Sequence, residues 1–360
     1  MPARLHTLVA ALAVLVAAIS PAFAQTLRGR IEQRTFPSPS GTHLIRYNIY
    51  LPQNYDTSNM HYPVIYHLHG LGGNEGGPQN TQVPRSFEVA QDAGLIGPVI
   101  VVFPNSYEDA WWADSVNSNK PAESDVLELI THVDQTFRTI PSPASRAIQG
   151  FSMGGFGAAK FYAKYPGLFA CSIAYDGAFL SWFTFTITFN SLASEIFGNS
   201  QTNFNQYSPW YWTTQNAALL QNRPPVRMVV GLLLSQNRQF RNHLDSNSVP
   251  RNYLEVACGH DLECLLLSQG NNSAAFLATH LDTTCPECGC DSIDFNNDGS
   301  LFDPTDVDAF LSVFSEGPCL PAGATCNDVD FNNDTSLFDP CDVDSFLLVF
   351  SEGPCTPCGQ

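Results

Sequence analysis

Basic residues are scarce in this chain and are missing altogether from its last part. The 360 residues include 16 Lys and Arg against 34 Asp and Glu, which gives a formal net charge of −18 at pH 7. Residues 283–360 hold fifteen of those acids and no Lys or Arg. Nucleic-acid binders need a basic surface to displace phosphate counterions, so the composition excludes nucleic acid as a partner.

Long apolar runs and charge-rich stretches are also lacking. Only 14 % of the residues are charged, which excludes a coiled coil, whereas 44 % are hydrophobic, which excludes a chain that is disordered throughout. The apolar run from Leu8 to Ile19 would span about 18 Å as a helix, too little for a bilayer core of roughly 30 Å. Arg4 precedes this run and Ala22-Phe23-Ala24 follows it, so residues 1–24 are predicted to be a secretory signal peptide. We expect a secreted or extracytoplasmic protein with no membrane span.

Cysteine usage divides the chain at the same place as the charge. Three of the eleven cysteines, Cys171, Cys258 and Cys264, precede residue 283, and eight follow it. An exported chain can form disulfides, so the eight are expected to be largely paired. We predict a domain over residues 25–282 and a separate module over residues 283–360.

Strand and helix patterns alternate through the larger domain. Nearly continuous apolar runs predict strands that are covered on both faces, as in a parallel sheet. These runs span residues 63–69, 98–104, 146–151, 169–175, 226–234 and 253–258. Helical periodicity covers residues 124–137, behind a Ser124 cap, and residues 154–165, whereas residues 28–36 and 42–51 predict an antiparallel edge hairpin. The fold class is therefore α/β, a doubly wound and mostly parallel sheet.

A Gly-x-Ser-x-Gly motif lies where a predicted strand meets a predicted helix. The residues are Gly150-Phe151-Ser152-Met153-Gly154, and Gly155 follows. In a strand-to-helix elbow the serine backbone is strained, and small neighbours are needed because a Cβ would collide with the adjoining elements. The serine oxygen is then exposed as a nucleophile, and the Met153 amide at the helix N-terminus faces a developing oxyanion.

A glycine-rich turn, residues 69–73, follows an earlier buried strand. The amide of Leu71 in this turn is the candidate for the second oxyanion donor. His67 and His69 also allow a zinc interpretation, but no carboxylate or cysteine lies near them in sequence. No Gly-Lys-Ser/Thr ends the glycine run, so the turn is not typical of a phosphate-binding loop.

The candidate general base is His260, because it follows the last predicted strand of the domain. Cys258 and Cys264 flank this histidine. A disulfide between them would hold the imidazole in place, although two unrelated thiols would give the same spacing.

Residues 26–282 resemble the putative esterase family of α/β-hydrolases, which includes esterase D, feruloyl and acetyl xylan esterases, and mycolyltransferases. The resemblance rests on residues 69–73, 147–158, 164–169 and 259–261. It implies a serine carboxylester hydrolase without a catalytic cofactor, in which Ser152 is the nucleophile and His260 the base.

The acid of the triad is open at this point. The resemblance implies an Asp shortly after the run 226–234, but no acid occurs there before Asp245. Asp176 follows the preceding strand, from which an acid can also reach the histidine, and we predict this residue as the acid. Asn237 as a neutral acceptor, Asp245, and an enzyme that lacks the acid altogether are the alternatives.

The acidic module contains two copies of one sequence at a pitch of 36 residues. Each copy has Asp-x-Asn-x-Asp spacing, which directs oxygens at one centre as in the first half of an EF-hand loop. An apolar stripe follows in each copy, and two stripes can bury each other. Because the repeat duplicates both partners, disulfides Cys290–Cys319 and Cys326–Cys355 are expected.

This module resembles a dockerin-type duplicated calcium module, with Thr335 in place of the loop glycine in the second copy. The alternative is an acidic linker. The predicted ligands of a structural Ca²⁺ are Asp294, Asn296, Asp298, Ser300 and Asp306 in the first copy, and Asp330, Asn332, Asp334, Ser336 and Asp342 in the second.

The functional expectation is a secreted serine esterase that acts on an ester substrate, with plant-polysaccharide side-chain esters implied by the resemblance. The acidic module would attach it to a cell-surface or scaffold protein. An acyltransferase on the same fold and a catalytically inactive binding or adhesion protein are the alternatives.

Overall fold

The computed structural model describes residues 26–283, 295–296, 304–315, 318–320, 326, 343, 346–347 and 350. The signal peptide predicted for residues 1–24 lies outside these residues. None of the helices in the described ranges is both long and apolar enough to cross a membrane.

Within residues 26–283, eight strands form one sheet in the order β1-β2-β4-β3-β5-β6-β7-β8. The strands are β1 Arg30–Pro37, β2 Leu44–Leu51, β3 Val64–Leu68, β4 Ile100–Pro104, β5 Arg146–Phe151, β6 Cys171–Tyr175, β7 Val226–Val230 and β8 Arg251–Glu255. Strand β2 is antiparallel to both β1 and β4, and the pairings from β4 through β8 are parallel. The predicted edge hairpin and parallel sheet are confirmed.

Helices connect the strands and cover the sheet. In the larger domain they are α1 Gln79–Asp92, α2 Ala122–Thr136, α3 Met153–Lys164, α4 Trp182–Thr188, α5 Asn190–Phe197, α6 Gln201–Gln206, α7 Pro209–Gln215, α8 Ala217–Leu220, α9 Leu234–Ser246 and α10 Leu262–His280. Residues of α2 and α3 pack in one apolar core, and residues of α1 and α10 pack in a second. The central strands are buried on both faces, which explains their continuous apolar sequences.

Three of the predictions for single elements were wrong. The run 253–258, predicted as a strand covered on both faces, belongs to the mostly exposed edge strand β8, which ends at Glu255. The run 226–234 does not continue as a strand, because β7 ends at Val230 and the chain turns before α9. Helix α2 starts at Ala122, ahead of the predicted Ser124 cap. The side chain of Asp114 accepts hydrogen bonds from the amides of Glu123 and Ser124, so a residue distant in sequence satisfies the first turn.

Among the described residues of the acidic module, helix α11 spans Pro304–Phe314. Phe310 of this helix stacks on Phe346 of the second copy with ring centroids 4.2 Å apart, and both side chains are fully buried. The predicted packing of the two stripes is confirmed for these rings. The next residues along the chain, Leu311 and Leu347, are also apolar but are exposed at 46 % and 48 %.

The disulfide pairing predicted for the two copies was wrong. Cys319 is bonded to Cys326, so the bond joins the end of the first copy to the start of the second. The two cysteines lie seven residues apart. Both predicted bonds, Cys290–Cys319 and Cys326–Cys355, are excluded because each needs one of these two sulfurs. The prediction assumed that each copy forms its own disulfide. The observed bond instead closes a short loop between the two copies.

Candidate active site

Ser152 occupies a sharp turn between β5 and α3. Its φ is +58°, a region that residues with a side chain rarely adopt. The flanking glycines permit the turn: a Cβ on Gly150 would lie 2.2 Å from the carbonyl oxygen of Gly154, and one on Gly154 would lie 1.9 Å from that of Leu68. The predicted elbow is therefore present, with backbone strain at the serine itself.

Ser152, His260 and Asp176 form one chain of hydrogen bonds. The Oγ of Ser152 lies 2.8 Å from Nε2 of His260, and Nδ1 of His260 lies 2.6 Å from Oδ2 of Asp176. A carboxylate can only accept, so Nδ1 carries the proton and Nε2 is free to accept from the serine hydroxyl. The imidazole also packs on the Phe151 ring, with centroids 4.6 Å apart. It is partly exposed, at 32 %, whereas the Asp176 side chain is fully buried.

Asp176 is held by the turn that follows β7. Its Oδ1 accepts from the amides of Gly231 and Leu233 at 3.1 and 2.9 Å, and its Oδ2 accepts from the amide of Leu232 at 3.2 Å. Gly231 permits this approach, because a Cβ there would lie 2.3 Å from the carbonyl oxygen of Gly259. Three backbone donors and the imidazole thus compensate the charge of a carboxylate that has no access to water.

The two other candidates for the third position of the triad, Asn237 and Asp245, bond to residues other than His260. Asn237, in the first turn of α9, is buried and donates from Nδ2 to the carbonyl oxygens of Gly177 and Leu233, both at 2.8 Å. It therefore braces the turn around Asp176. Asp245 lies near the end of α9 and forms an ion pair with Arg251 at 2.7 Å.

The loop that carries His260 is closed by the predicted disulfide. Cys258 follows β8 and is bonded to Cys264 in the first turn of α10. Asp261 caps that helix, since its Oδ1 accepts from the Cys264 amide at 2.7 Å. The imidazole therefore extends from a loop that is fixed at both ends.

The two predicted oxyanion donors belong to two segments that adjoin Ser152. Met153 is the first residue of α3, where a backbone N–H has no acceptor within the helix. Leu71 lies in the turn after β3, and a Cβ on the neighbouring Gly70 would lie 3.3 Å from the Cβ of Ser152. The turn therefore contacts the elbow directly.

The two histidines of the zinc interpretation are buried parts of the structure. His69 donates from Nδ1 to the Gly70 carbonyl oxygen at 2.8 Å and accepts at Nε2 from the Ser106 amide at 3.0 Å, so neither ring nitrogen is free for a metal. Burial lowers the pKa of His67 to about 3 and that of His69 to about 4. Within the described ranges, the structure contains no cluster of three or more His, Cys, Asp or Glu suited to a metal ion.

No sequence motif pointed to the loop of residues 105–112, which follows β4 and contacts the turn after β3. Besides the Ser106 amide, the carbonyl oxygen of Glu108 contributes, accepting from the Gly72 amide at 2.8 Å. The adjacent pair Trp111-Trp112 was the available signal, but aromatic residues are as typical of any core.

Two of the ten predicted calcium ligands, Asn296 and Asp306, lie among the described residues. The buried Asp306 carboxylate accepts from the Asn296 amide at 3.4 Å, and the Asn296 side chain donates to Thr305 Oγ1 at 3.0 Å. The other predicted ligands lie outside the described residues: Asp294, Asp298, Ser300, Asp330, Asn332, Asp334, Ser336 and Asp342.

Comparison with solved structures confirms the fold. A ferulic acid esterase matches 71 % of this chain and 100 % of its own length, with a TM-score of 0.61 and 19 % identity. The fluorophosphonate-binding serine hydrolase FphF of Staphylococcus aureus matches 69 % of this chain and 98 % of its own, with a TM-score of 0.59 and 21 % identity. An S-formylglutathione hydrolase from Agrobacterium tumefaciens matches 72 % and 98 %, with a TM-score of 0.58 and 15 % identity.

Curated relatives share part of the sequence. Esterase Rv1288 of Mycobacterium tuberculosis (strain H37Rv) is 35 % identical over 136 residues, which are 36 % of this chain and 28 % of the relative. An endo-1,4-beta-xylanase/feruloyl esterase of Xylanibacter ruminicola is 30 % identical over 149 residues, which are 39 % of this chain and 20 % of the relative. The matches thus span less than a third of each relative's length.

The putative esterase family model matches residues 38–263, most of the larger domain. With its strand-to-helix serine elbow and its mostly parallel sheet, the chain belongs to the putative esterase family and has the α/β-hydrolase fold.

Proposed function

We propose that the domain of residues 25–282 is a secreted serine carboxylester hydrolase. The observation that carries the proposal is the hydrogen-bonded chain from Ser152 through His260 to the buried Asp176, built on a strained elbow. Backbone strain of this kind persists only where the surrounding structure maintains it, and it concentrates at functional sites. Membership of the esterase family supports the same class of reaction.

Ser152, His260 and Asp176 have different roles in the proposed reaction. Ser152 Oγ attacks the ester carbonyl while His260 Nε2 takes its proton, and the amides of Met153 and Leu71 stabilise the tetrahedral oxyanion. His260 then returns the proton to the departing alcohol, which leaves an acyl group on Ser152. Water, activated by the same imidazole, attacks the acyl-enzyme and releases the acid. Asp176 stabilises the imidazolium that forms in each half-reaction.

The proposed substrate is an ester-linked side group of a plant polysaccharide, of the feruloyl or acetyl type. Two similar proteins support this substrate class. One is the ferulic acid esterase among the similar structures, and the other is the endo-1,4-beta-xylanase/feruloyl esterase among the relatives. Export fits a polymeric substrate, because a polysaccharide stays outside the cell. The Cys258–Cys264 disulfide at the site is also typical of an exported protein.

A fluorophosphonate probe tests this proposal on the full chain. We expect the probe to form one covalent adduct, assigned by peptide mass spectrometry to the peptide that contains Ser152, since an activated serine beside an imidazole attacks phosphorus as it attacks an ester carbonyl. The Ser152→Ala chain serves as the control. Absence of labelling in the native chain would leave the inactive binding protein as the better interpretation.

For the module of residues 283–360 we propose Ca²⁺ binding and attachment to a cell-surface or scaffold protein. The acidic loops have no basic partner within the module, so a cation would remove repulsion between their carboxylates. The buried contact between Phe310 and Phe346 supports packing of the two copies as a unit.

We expect Ca²⁺ to raise the melting temperature of the acidic module in the full chain relative to chelator. A ligand that binds only the folded state stabilises it by about 2.7 kcal/mol at a hundredfold excess over Kd. Asp298→Ala should reduce the calcium heat in calorimetry more than Asp334→Ala, because only the first copy retains the loop glycine. A native chain that takes up no calcium heat at millimolar concentration would contradict the proposal.

A further inference from the structure

The two proposed oxyanion donors belong to different elements. The distance between them must therefore be fixed by contacts between those elements. Met153 starts α3, whereas Leu71 lies in the turn after β3. Donors in an oxyanion hole act only when they are held at hydrogen-bond distance from the oxygen that develops charge. A displacement of about 1 Å can cost roughly 10²-fold in rate. The residue that holds the turn against α3 therefore influences the reaction without touching the substrate.

Trp112 contacts the turn that carries Leu71. Its indole Nε1–H donates to the carbonyl oxygen of His69 at 3.3 Å, and its ring lies 4.9 Å from the imidazole of His69 between centroids. His69 in turn donates to the Gly70 carbonyl oxygen. Trp112 is thus hydrogen-bonded to the first residue of the turn, two residues before Leu71.

The same residue contacts α3. Its carbonyl oxygen accepts from Nζ of Lys160 at 2.7 Å, and Lys160 is fully buried and also bonded to Glu123 of α2 at 2.5 Å. Gly157 allows the ring to lie on the helix, because a Cβ there would be 2.7 Å from Cδ1 of Trp112. Trp112 is therefore fixed to the helix that begins with the first oxyanion donor.

The backbone of Trp112 is strained and is held in that state by its neighbours. Its φ is +56°, and the preceding Trp111 has φ +53°. The amide of Trp112 donates to Ser106 Oγ at 3.2 Å, while the Ser106 amide donates to His69 Nε2 at 3.0 Å. Positive φ at two bulky residues costs energy, so the surrounding contacts must maintain it.

We propose that Trp112 is a positioning residue that fixes the Leu71 turn against α3 and so sets the geometry of the oxyanion hole. This inference rests on the proposed esterase function. It assigns no contact with substrate to Trp112, because the residue is buried and its polar groups have other partners. The indole N–H donates to His69, the backbone carbonyl accepts from Lys160, and the backbone amide donates to Ser106.

The test compares Trp112→Phe with Trp111→Phe. Both indoles are fully buried neighbours of equal size, but the Trp111 Nε1 has no hydrogen-bond partner in the described part of the chain and its ring packs on Phe156, Phe185 and Phe189. On a p-nitrophenyl ester we expect Trp112→Phe to lower kcat by about 10-fold to 10²-fold with KM nearly unchanged, because the lost bond acts on the transition state. Trp111→Phe should keep kcat within about threefold of the native value.

A second readout separates positioning from loss of stability. A trifluoromethyl ketone forms a tetrahedral oxyanion adduct on the serine, so Trp112→Phe should weaken its inhibition by the same factor as kcat. Equal effects of the two substitutions on kcat, or unchanged inhibition by the ketone, would overturn the inference. A native chain with neither hydrolysis nor fluorophosphonate labelling would instead refute the esterase function, and the inference with it.

Ser106→Ala is the second variant, for the case in which Trp112→Phe does not fold. It removes the hydroxyl that accepts from the Trp112 amide while changing little volume. We expect a several-fold fall in kcat, again with KM nearly constant and with weaker ketone inhibition. Native kcat and native ketone inhibition in this variant would overturn the inference.

Discussion

Replacing Ser152 by alanine is expected to abolish hydrolysis of a short p-nitrophenyl ester, with a fall in kcat on the order of 10⁵-fold to 10⁶-fold. The hydroxyl is the only atom of the residue that takes part in the proposed chemistry. The hydroxyl is bonded to Nε2 of His260 and contributes little to the packing of the domain. Alanine at this position keeps the positive φ, so the substitution does not change the backbone strain. The melting temperature should therefore stay within a few degrees of the native value.

Steady-state kinetics and thermal unfolding of the same preparation check this expectation. Ser268→Ala is the matched control, because it removes a hydroxyl from an exposed position on α10. Both variants should unfold like the native chain, while only Ser152→Ala loses hydrolysis. Retained activity in Ser152→Ala would contradict the elbow assignment.

Asp176→Asn is expected to lower kcat by about 10²-fold to 10⁴-fold. The amide that replaces the carboxylate carries a donor as well as an acceptor, so it can stabilise the wrong tautomer of His260 and cannot compensate the imidazolium charge. It also meets three backbone N–H groups, from Gly231, Leu232 and Leu233, with only one oxygen in place of two. Some loss of stability should accompany the loss of activity.

Asp245→Asn provides the comparison for Asp176→Asn. Asp245 pairs with Arg251 at a largely exposed position, where an ion pair contributes little. The kcat of Asp245→Asn should match that of the native chain. Urea unfolding of both variants shows whether activity is measured on folded protein. A large loss of kcat in Asp245→Asn, with native activity in Asp176→Asn, would move the acid to the end of α9.

Local sequence was sufficient for the elements in which neighbouring residues determine the structure. The buried strands were evident because a strand covered on both faces has a continuous apolar sequence. The elbow at Ser152 was evident because the glycines that permit it are adjacent to the serine. The spacing of Cys258 and Cys264 allowed a disulfide, and the structure contains it. The module was recognisable as a repeat, although its disulfide crosses between the copies.

The end of β7 illustrates what local sequence misses. The apolar run continues to Leu234, yet the strand stops at Val230 because the next three amides donate to the carboxylate of Asp176, which follows the neighbouring strand β6. The same geometry separates Asp176 from Asn237. Both residues follow apolar runs in the sequence. Because β6 and β7 are neighbours in the sheet, Asp176 reaches His260, whereas Asn237 bonds the backbone around Asp176.

The sequence by itself determined the fold class, the serine elbow and the candidate base, because each depends on residues that are consecutive or nearly so. Only the tertiary structure decided which acid meets His260, which groups occupy both ring nitrogens of His69, and how Trp112 contacts two elements that are distant in the chain. The reason is physical. These contacts join side chains and backbone groups that come together only when the sheet is assembled, and their directions depend on strand order and on positive φ values that no residue type alone specifies.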